Sequence, residues 1–188
     1  QAARFRGAKV TLIHGPLHVD NAILEGMHTY EIRSAEDMQK RLQELQTSAD
    51  VIAMTAAITD LRSKVDARNI KVPKQDLLEA FQNSIEIVPD LLSELVSKRK
   101  EKQLILGFTA LTGDDQEIKD LAFIKKSLKG CDLLMANPID RIDQGFESEF
   151  NEGWLLGPEN KMQRIPFECK LSIANQLLDI FQQLLIVK

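Results

Sequence analysis

Two lysines are spaced so that both could bind the same anion. Lys125 and Lys129 are four residues apart, so they share one face of a predicted helix. Leu121, Ile124 and Leu128 form an apolar stripe on this helix, which we expect to face the core with the lysines at its edge. Both ammonium groups would then reach one anion at the edge of the sheet. A solvated helix face is the alternative interpretation, and the residues alone leave it open.

Other candidate residues follow predicted strands or begin a predicted helix. Ligands of open α/β sheets bind at the carboxyl ends of the strands. The residues at such places are Thr55 to Asp60, Gly107 with Phe108, Ala136 with Asn137, and Pro89 with Asp90. A turn or cap is the plainer interpretation of Asp60 and Asn137. Close packing next to a core aromatic is the plainer interpretation of Gly107 and Phe108.

No common catalytic or phosphate-binding motif accompanies these residues. His14, His18 and His28 lack metal-ligand spacing, and no Ser–His–Asp or Cys–His order is present. The chain contains neither GxGxxG nor GxxxxGK[ST]. The basic loop KVPK, with Lys71 and Lys74, indicates little when taken alone. The residues by themselves therefore predict an α/β domain that binds an anion or a nucleotide.

Composition narrows the class of partner. The 188 residues include 24 Lys and Arg against 28 Asp and Glu, for a net charge of −4. This length fits one domain, and the charge argues against DNA or RNA as a partner. The isolated Cys131 and Cys169 favour free thiols in a reducing compartment. Because no apolar run could span a membrane and no signal-peptide core is present, we expect a cytoplasmic protein without membrane contact.

Apolar runs alternate with helical patterns along the chain. Strands are predicted at Ala8 to Ile13, His28 to Arg33, Asp50 to Ala57 (buried on both faces), Gln103 to Thr109 and Cys131 to Asn137. Helices are predicted from Ser34 to about Thr47, from Pro89, from Asp114 or Asp115 to Lys129, and from about Ser172 to Leu185. Because helices separate the strands, we expect an α/β, doubly wound, mostly parallel sheet, with a late hairpin around Gly157-Pro158.

The first residues of the chain have the pattern of a helix end. QAARFR stops at Gly7, as the last turns of a helix do. A compact α/β domain rarely begins in this way, because its first strand normally precedes that helix. We therefore expect residues 1–188 to be a single, N-terminally incomplete domain, with the first strand and its loop outside the given chain.

Seven motifs in a fixed order resemble one protein family. They are RGAKVTLIHGP, TAAITD, KVPK, VPDLL, LGFTALTGD, KKSLKGCDLLMANPID and GFESEFNEGWLL, and they extend from Arg6 to the final helix. This set resembles phosphopantothenoylcysteine synthetase, the phosphopantothenate–cysteine ligase half of bacterial bifunctional coenzyme A biosynthesis flavoproteins. The resemblance extends to cyanobacterial forms, in which a KLPK-like loop, GFAAQTGD and ANPID recur.

The resemblance implies a fold, a reaction and partners. The fold is Rossmann-like, and the reaction joins 4′-phosphopantothenate to cysteine. CTP activates the carboxylate as an acyl-cytidylate, with Mg²⁺ on the phosphates, and cysteine then displaces CMP. The resemblance also implies a homodimer and a fused decarboxylase domain, to which FMN would be confined. No residue of this chain is predicted as a metal ligand.

The resemblance also implies which residues form the site. Lys71, the first lysine of KVPK, matches the catalytic lysine that contacts the nucleotide. Pro89 to Leu92 match a helix start whose free N–H groups suit phosphate. The full set of implied nucleotide-binding residues is Met54, Thr55, Ala56, Asp60, Lys71, Pro89, Asp90, Leu91, Leu92, Phe108, Lys125 and Lys129.

The chain departs from the family pattern in three places, and the first of them, a missing loop, permits an alternative function. The family's loop that holds the acyl-cytidylate has no counterpart, and one extra residue between Asp60 and Lys71 makes Lys74 a rival for the catalytic role. Leu111 stands where Glu or Gln is usual. The alternative is a catalytically inactive relative that serves as a binding or regulatory subunit. An NAD- or flavin-dependent oxidoreductase is disfavoured because no glycine fingerprint is present.

Overall fold

The computed structural model describes residues 1–64, 73–144 and 148–187. The helices of these ranges are α1 (Ala2–Phe5), α2 (Asn21–Leu24), α3 (Ala35–Leu45), α4 (Leu77–Ser84), α5 (Leu91–Ser97), α6 (Asp115–Lys129) and α7 (Lys170–Val187). The strands are β1 (Thr11–His14), β2 (His28–Glu31), β3 (Val51–Met54), β4 (Leu61–Ser63), β5 (Ile85–Ile87), β6 (Leu104–Leu111), β7 (Leu133–Pro138), β8 (Phe150–Leu156) and β9 (Met162–Cys169).

A five-stranded sheet in the order β3-β6-β7-β8-β9 forms the centre of the fold. The β3–β6 and β6–β7 pairs are parallel, and β8 and β9 add an antiparallel hairpin. Apolar side chains of α3, α5 and α6 form a core cluster on one face, and those of α7 form a second cluster on the other. Helices therefore cover both faces, and the predicted α/β class with a late hairpin is confirmed.

Two small sheets lie outside the central one. Strands β1 and β2 pair in parallel with each other, and Ile13 and Ile32 pack against the core cluster of the α3, α5 and α6 face. Strands β4 and β5 form an antiparallel pair. The sequence predicted neither these two strands nor α4, because strands of three residues are too short to show a period.

Local signals set the helix ends as predicted. The Ser34 hydroxyl accepts the Asp37 N–H and begins α3. Asp114 and Glu117 form a reciprocal capping box at the start of α6. Gly130 ends α6 in the left-handed conformation that glycine adopts at little cost.

Two predictions about burial are wrong. Only Met54 of β3 is buried, because in the described residues this strand lies at the edge of the sheet and pairs with β6 alone. The face of α6 that enters the core carries Ile118 and Ala122, which are fully buried. The stripe expected there instead faces outward, with Leu128 exposed to 76%. None of the described helices is long and apolar enough to span a bilayer.

Candidate functional site

Strand β3 ends beside the middle of β6. Met54 pairs with Gly107, and the exposed Thr55 and Ala56 follow directly. The backbone carbonyl of Asp60 then accepts the N–H of Val88 at 2.9 Å. This bond ties the chain after β3 to the segment that enters α5. The structure thus brings the residues after β3 and the start of α5 to one edge of the sheet, where ligands of α/β folds bind.

Helix α5 packs against β6 at unusually short range. A Cβ atom on Gly107 would lie 2.6 Å from Leu92 Cδ2 and 3.1 Å from Leu134 Cδ1. A side chain at this position would force Leu92 to shift, and the plainer interpretation of Gly107 as a close-packing residue is confirmed. Leu91 and Leu92 are buried in the core cluster, so their side chains support the site from below.

Asp90 joins α5 to α6. Its carboxylate accepts the Ser93 N–H at 3.2 Å and the Ser93 hydroxyl at 2.6 Å, which makes Asp90 the N-cap of α5. It also forms an ion pair with Lys129 Nζ. Burial raises the pKa of Asp90, but the hydrogen bonds from Lys129 and Ser93 outweigh that effect and hold this pKa below its usual value. Asp90 is therefore a carboxylate at neutral pH.

This carboxylate changes the expected character of the helix start. The sequence predicted free N–H groups suited to phosphate at Pro89 to Leu92. In the structure, Asp90 occupies the Ser93 N–H and places a negative charge at the end of a seven-residue helix. This carboxylate lowers the attraction of the helix start for an anion, and the role of Pro89 to Leu92 in binding a nucleotide stays a prediction.

Lys125 and Lys129 lie on one side of α6, as their spacing predicted, but their surroundings differ. Lys129 is half-buried against Asp90. Lys125 is exposed, and within the described part of the chain it forms no ion pair or hydrogen bond. The apolar stripe beside Lys125 faces solvent. The aliphatic part of the Lys125 side chain therefore does not lie along the core, contrary to what we expected.

Phe108 lies on the opposite face of the sheet from Asp90. It packs against the α7 cluster, while the neighbouring Gly107 faces α5. Asn137 is on the same face as Phe108, because Met135, two residues earlier in β7, pairs with Phe108. The Asn137 side-chain oxygen is buried without a hydrogen-bond partner among the described residues. Asn137 is thus a candidate site residue, and the strand-end position was the sequence signal for it.

The remaining predicted positions divide into two groups. Lys71 lies outside the described residues, and Lys74 begins an exposed single turn, Lys74–Asp76. Leu111, where the resemblance implied Glu or Gln, is buried in the core cluster of the α5 and α6 face and makes an apolar packing contact there. No group of three or more His, Cys, Asp or Glu side chains with metal-binding geometry occurs in residues 1–64, 73–144 and 148–187.

A charged cluster that the sequence did not predict lies at the start of α6. Arg141 contacts Glu152 and Asp115, and Arg164 contacts the same two carboxylates. Burial raises the pKa of Glu152, but the guanidinium groups of Arg141 and Arg164 have the larger combined effect. The pKa of Glu152 is therefore below its usual value. Arg164 also lies over the ring of Trp154, 4.9 Å from its centroid. The cluster connects the residues after β7 with β8, β9 and α6.

Known proteins are similar to this chain in sequence and in fold. Residues 1–185 match the family described as DNA/pantothenate metabolism flavoprotein C-terminal domain. The coenzyme A biosynthesis bifunctional protein CoaBC of Bacillus subtilis is 30% identical over 179 residues, which cover 95% of this chain and 42% of that protein. The chain therefore spans about two fifths of the length of this curated relative.

Solved structures of similar proteins have the same fold as this chain. The C-terminal domain of a CoaBC protein superposes with a TM-score of 0.75 at 24% identity, covering 99% of this chain and 81% of that one. A mutant of Cab2 in complex with phosphopantothenate-cysteine has a TM-score of 0.59 at 12% identity, over 86% of this chain and 55% of that one. With a family match over nearly its whole length, the chain belongs to the DNA/pantothenate metabolism flavoprotein C-terminal domain family.

Proposed function

We propose that this chain is a phosphopantothenate–cysteine ligase domain that uses CTP and forms an acyl-cytidylate. The names of two similar proteins support the type of reaction, since one acts in coenzyme A biosynthesis and the other was solved with phosphopantothenate-cysteine. The observation that carries the proposal is the Asp90–Lys129 pair beside the end of β3, with Lys125 one turn away. This arrangement can bind a nucleotide at the edge where α/β folds hold ligands.

The proposed reaction has two steps. A carboxylate oxygen of 4′-phosphopantothenate attacks the α-phosphorus of CTP, and pyrophosphate leaves. The cysteine amine then attacks the acyl carbon and loses a proton, and CMP leaves with the former carboxylate oxygen. Negative charge grows on phosphate and carbonyl oxygens in these steps, so fixed cations lower the barriers.

The residues of the chain have separate roles in this proposal. Met54 to Ala56, Asp60 and Pro89 to Leu92 border the nucleotide at the carboxyl edge of the sheet, Leu91 and Leu92 through their backbone because their side chains lie in the core. Phe108 contacts the nucleotide from the α7 side of that edge. Lys125 and Lys129 bind the nucleotide. Lys71 is the catalytic lysine that stabilises the growing charge in the first step. Asn137 adds a buried acceptor on the Phe108 side.

Mg²⁺ is proposed to enter with the substrate. Bound to the triphosphate of CTP, it would neutralise part of the phosphate charge. We propose no metal ligand from this chain.

A second copy of the chain is the proposed partner of one apolar surface. We call this surface the hairpin face; it comprises exposed residues of β4, α4 and β5, namely Leu61, Leu77, Leu78, Phe81 and Ile87. Their exposures of 52–79% are high for large apolar side chains that lie so close in the chain. A homodimer would cover both copies of the hairpin face at once.

The relatives also suggest what accompanies this domain. The Bacillus subtilis protein is named bifunctional, and the chain matches 42% of it. We propose that the protein carrying this chain also contains the decarboxylase domain, and that any FMN binds there.

Product formation tests the proposal. The protein that carries this chain is incubated with 4′-phosphopantothenate, cysteine and CTP with Mg²⁺, and phosphopantothenoylcysteine, CMP and pyrophosphate are quantified. With carboxylate-¹⁸O substrate, label should appear in CMP, because the acyl-cytidylate transfers that oxygen. Tight CTP binding without product would favour the alternative of an inactive binding or regulatory subunit.

A further inference from the structure

The charged cluster at the start of α6 is a closed ring of alternating charges. Arg141 contacts Glu152 and Asp115 with two different guanidinium nitrogens, and Arg164 contacts the same two carboxylates in the same way. The contact between Arg164 and Asp115 is 3.0 Å long. Because each member has two partners of opposite charge, none of the four side chains can turn away without breaking two charge-assisted contacts.

The β8–β9 hairpin holds one half of this ring. Glu152 lies in β8 and Arg164 in β9, so the pairing of the two strands fixes both residues. The Glu152 side chain is only 11% exposed, and the Arg164 guanidinium lies 4.9 Å from the centroid of the Trp154 ring. Burial and this stacking contact make the hairpin half of the ring a rigid anchor.

The other half of the ring belongs to the segments that leave the sheet after β6 and β7. These strands end side by side, since Leu111 pairs with Pro138. Arg141 follows β7, and its neighbour Asp140 accepts the N–H of Gly113, between β6 and α6, at 2.8 Å. The two segments are thus tied to each other and, through the ring, to the hairpin. They border the proposed site on the side away from β3.

We propose that Arg141 is a positioning residue for the proposed ligase reaction: through the ring it fixes the segments after β6 and β7 at the border of the site. This rests on the proposed function and goes beyond it, because the proposal assigns no member of the ring a contact with substrate. A shift of about 1 Å in groups that position substrates can slow a reaction about a hundredfold. Opening the ring frees both segments, so it should slow the reaction without removing any proposed contact to CTP.

Kinetics and calorimetry of the protein that carries this chain test the proposal. Arg141→Gln should lower kcat for phosphopantothenoylcysteine formation about tenfold or more and change the Kd of CTP less than about twofold. Glu152→Gln should lower kcat by a similar factor, because it opens the same ring at another member. The double variant Arg141→Gln/Glu152→Gln should be no slower than the slower single variant, because both changes act through one structure.

The matched control is Arg99→Gln, at the opposite edge of the sheet. Arg99 pairs at 3.2 Å with Asp132, whose side chain is 10% exposed, close to the value for Glu152. Arg99→Gln should therefore lose about as much stability in urea unfolding as Arg141→Gln and still keep its kcat. Equal losses of kcat in the two variants would overturn the positioning role. So would a loss in Arg141→Gln that Glu152→Gln does not share, since Arg141 would then act on the substrate itself.

Hydrogen exchange tests the same ring without a reaction. In the ligand-free protein, Arg141→Gln should speed exchange of the Gly113 amide about tenfold, because Asp140, which accepts this N–H, is no longer held by its neighbour. Arg99→Gln should leave this rate unchanged, and an unchanged rate in Arg141→Gln would overturn the proposal. Absence of product from the unsubstituted protein would overturn the proposed function itself, whereas a normal kcat in Arg141→Gln would overturn only this inference.

Discussion

Gly107 and Leu92 pack so closely that a side chain on the glycine would force Leu92 to shift. A Cβ atom at Gly107 would lie 2.6 Å from Leu92 Cδ2. Leu92 is buried in the core cluster and cannot turn away into solvent. The start of α5, and with it Asp90, is consequently held at a fixed height above β6, next to the end of β3.

This contact predicts the effect of a small substitution. Gly107→Ala should lower the free energy of unfolding by about 1–3 kcal/mol, the usual cost of overpacking. It should also weaken CTP binding, because Asp90 and the proposed site shift with α5. Urea unfolding and calorimetry measure both effects. Gly15→Ala is the control, since a Cβ there meets nothing within 4 Å, and it should change stability by less than about 0.5 kcal/mol.

The charged cluster at the start of α6 predicts a second loss of stability. The Glu152 side chain is only 11% exposed and contacts Arg141 and Arg164. Glu152→Gln removes the charge that balances them, so we expect a loss of about 1–3 kcal/mol. Urea unfolding followed by the fluorescence of Trp154 measures it. Glu159→Gln removes a carboxylate from an exposed pair with Lys161 and should have no measurable effect; an equal loss there would contradict the role of burial.

Glu94 predicts a pH dependence of stability. Hydrogen bonds from Lys98, Gln39 and Gln43 lower its pKa from 4.5 to about 2. Because the folded state favours the ionised form, this contribution is complete above pH 4.5 and is lost as the pH falls toward 2. Glu94→Gln should therefore be less stable than the parent at neutral pH, and the difference should shrink between pH 4.5 and 2. Unfolding free energies measured across this range test the sign; a constant difference would contradict it.

Removing the charge of Lys71 should slow the formation of acyl-cytidylate and change CTP binding little. Lys71→Gln should bind CTP with a modest loss but form acyl-cytidylate on the order of 10²–10³ times more slowly, because its contact strengthens in the transition state. Burst measurements of pyrophosphate release detect the step. Lys74→Gln is the matched control. A lost burst in Lys74→Gln with a normal burst in Lys71→Gln would transfer the role to Lys74.

The hairpin face predicts the oligomeric state. Leu78→Glu places a charge on an apolar side chain that is 72% exposed in α4, so it should convert a dimer to monomers. Sedimentation velocity measures the change. Leu128→Glu is the control, since Leu128 is 76% exposed on α6, outside the hairpin face, and should leave the dimer intact. Dissociation by Leu128→Glu alone would place the interface on α6.

The sequence by itself determined the features that depend on neighbours in the chain. Ser34 and Asp114 begin helices because each side chain reaches an N–H two or three residues ahead. Alternating strand and helix patterns indicated the α/β class, and the ordered motifs identified the family that the match over residues 1–185 then showed. Lys71 is still a prediction from resemblance, because it lies outside the described residues.

Only the tertiary structure decided which distant residues meet and which faces are buried. The spacing of Lys125 and Lys129 placed them on one side of a helix, but it contained no information on Asp90, 39 residues earlier in the chain. Periodicity showed that Leu121, Ile124 and Leu128 share a face of α6, and it did not show that this face points outward. A helix presents its side chains the same way in isolation and in a fold. The elements that pack against it determine which of its faces loses contact with water.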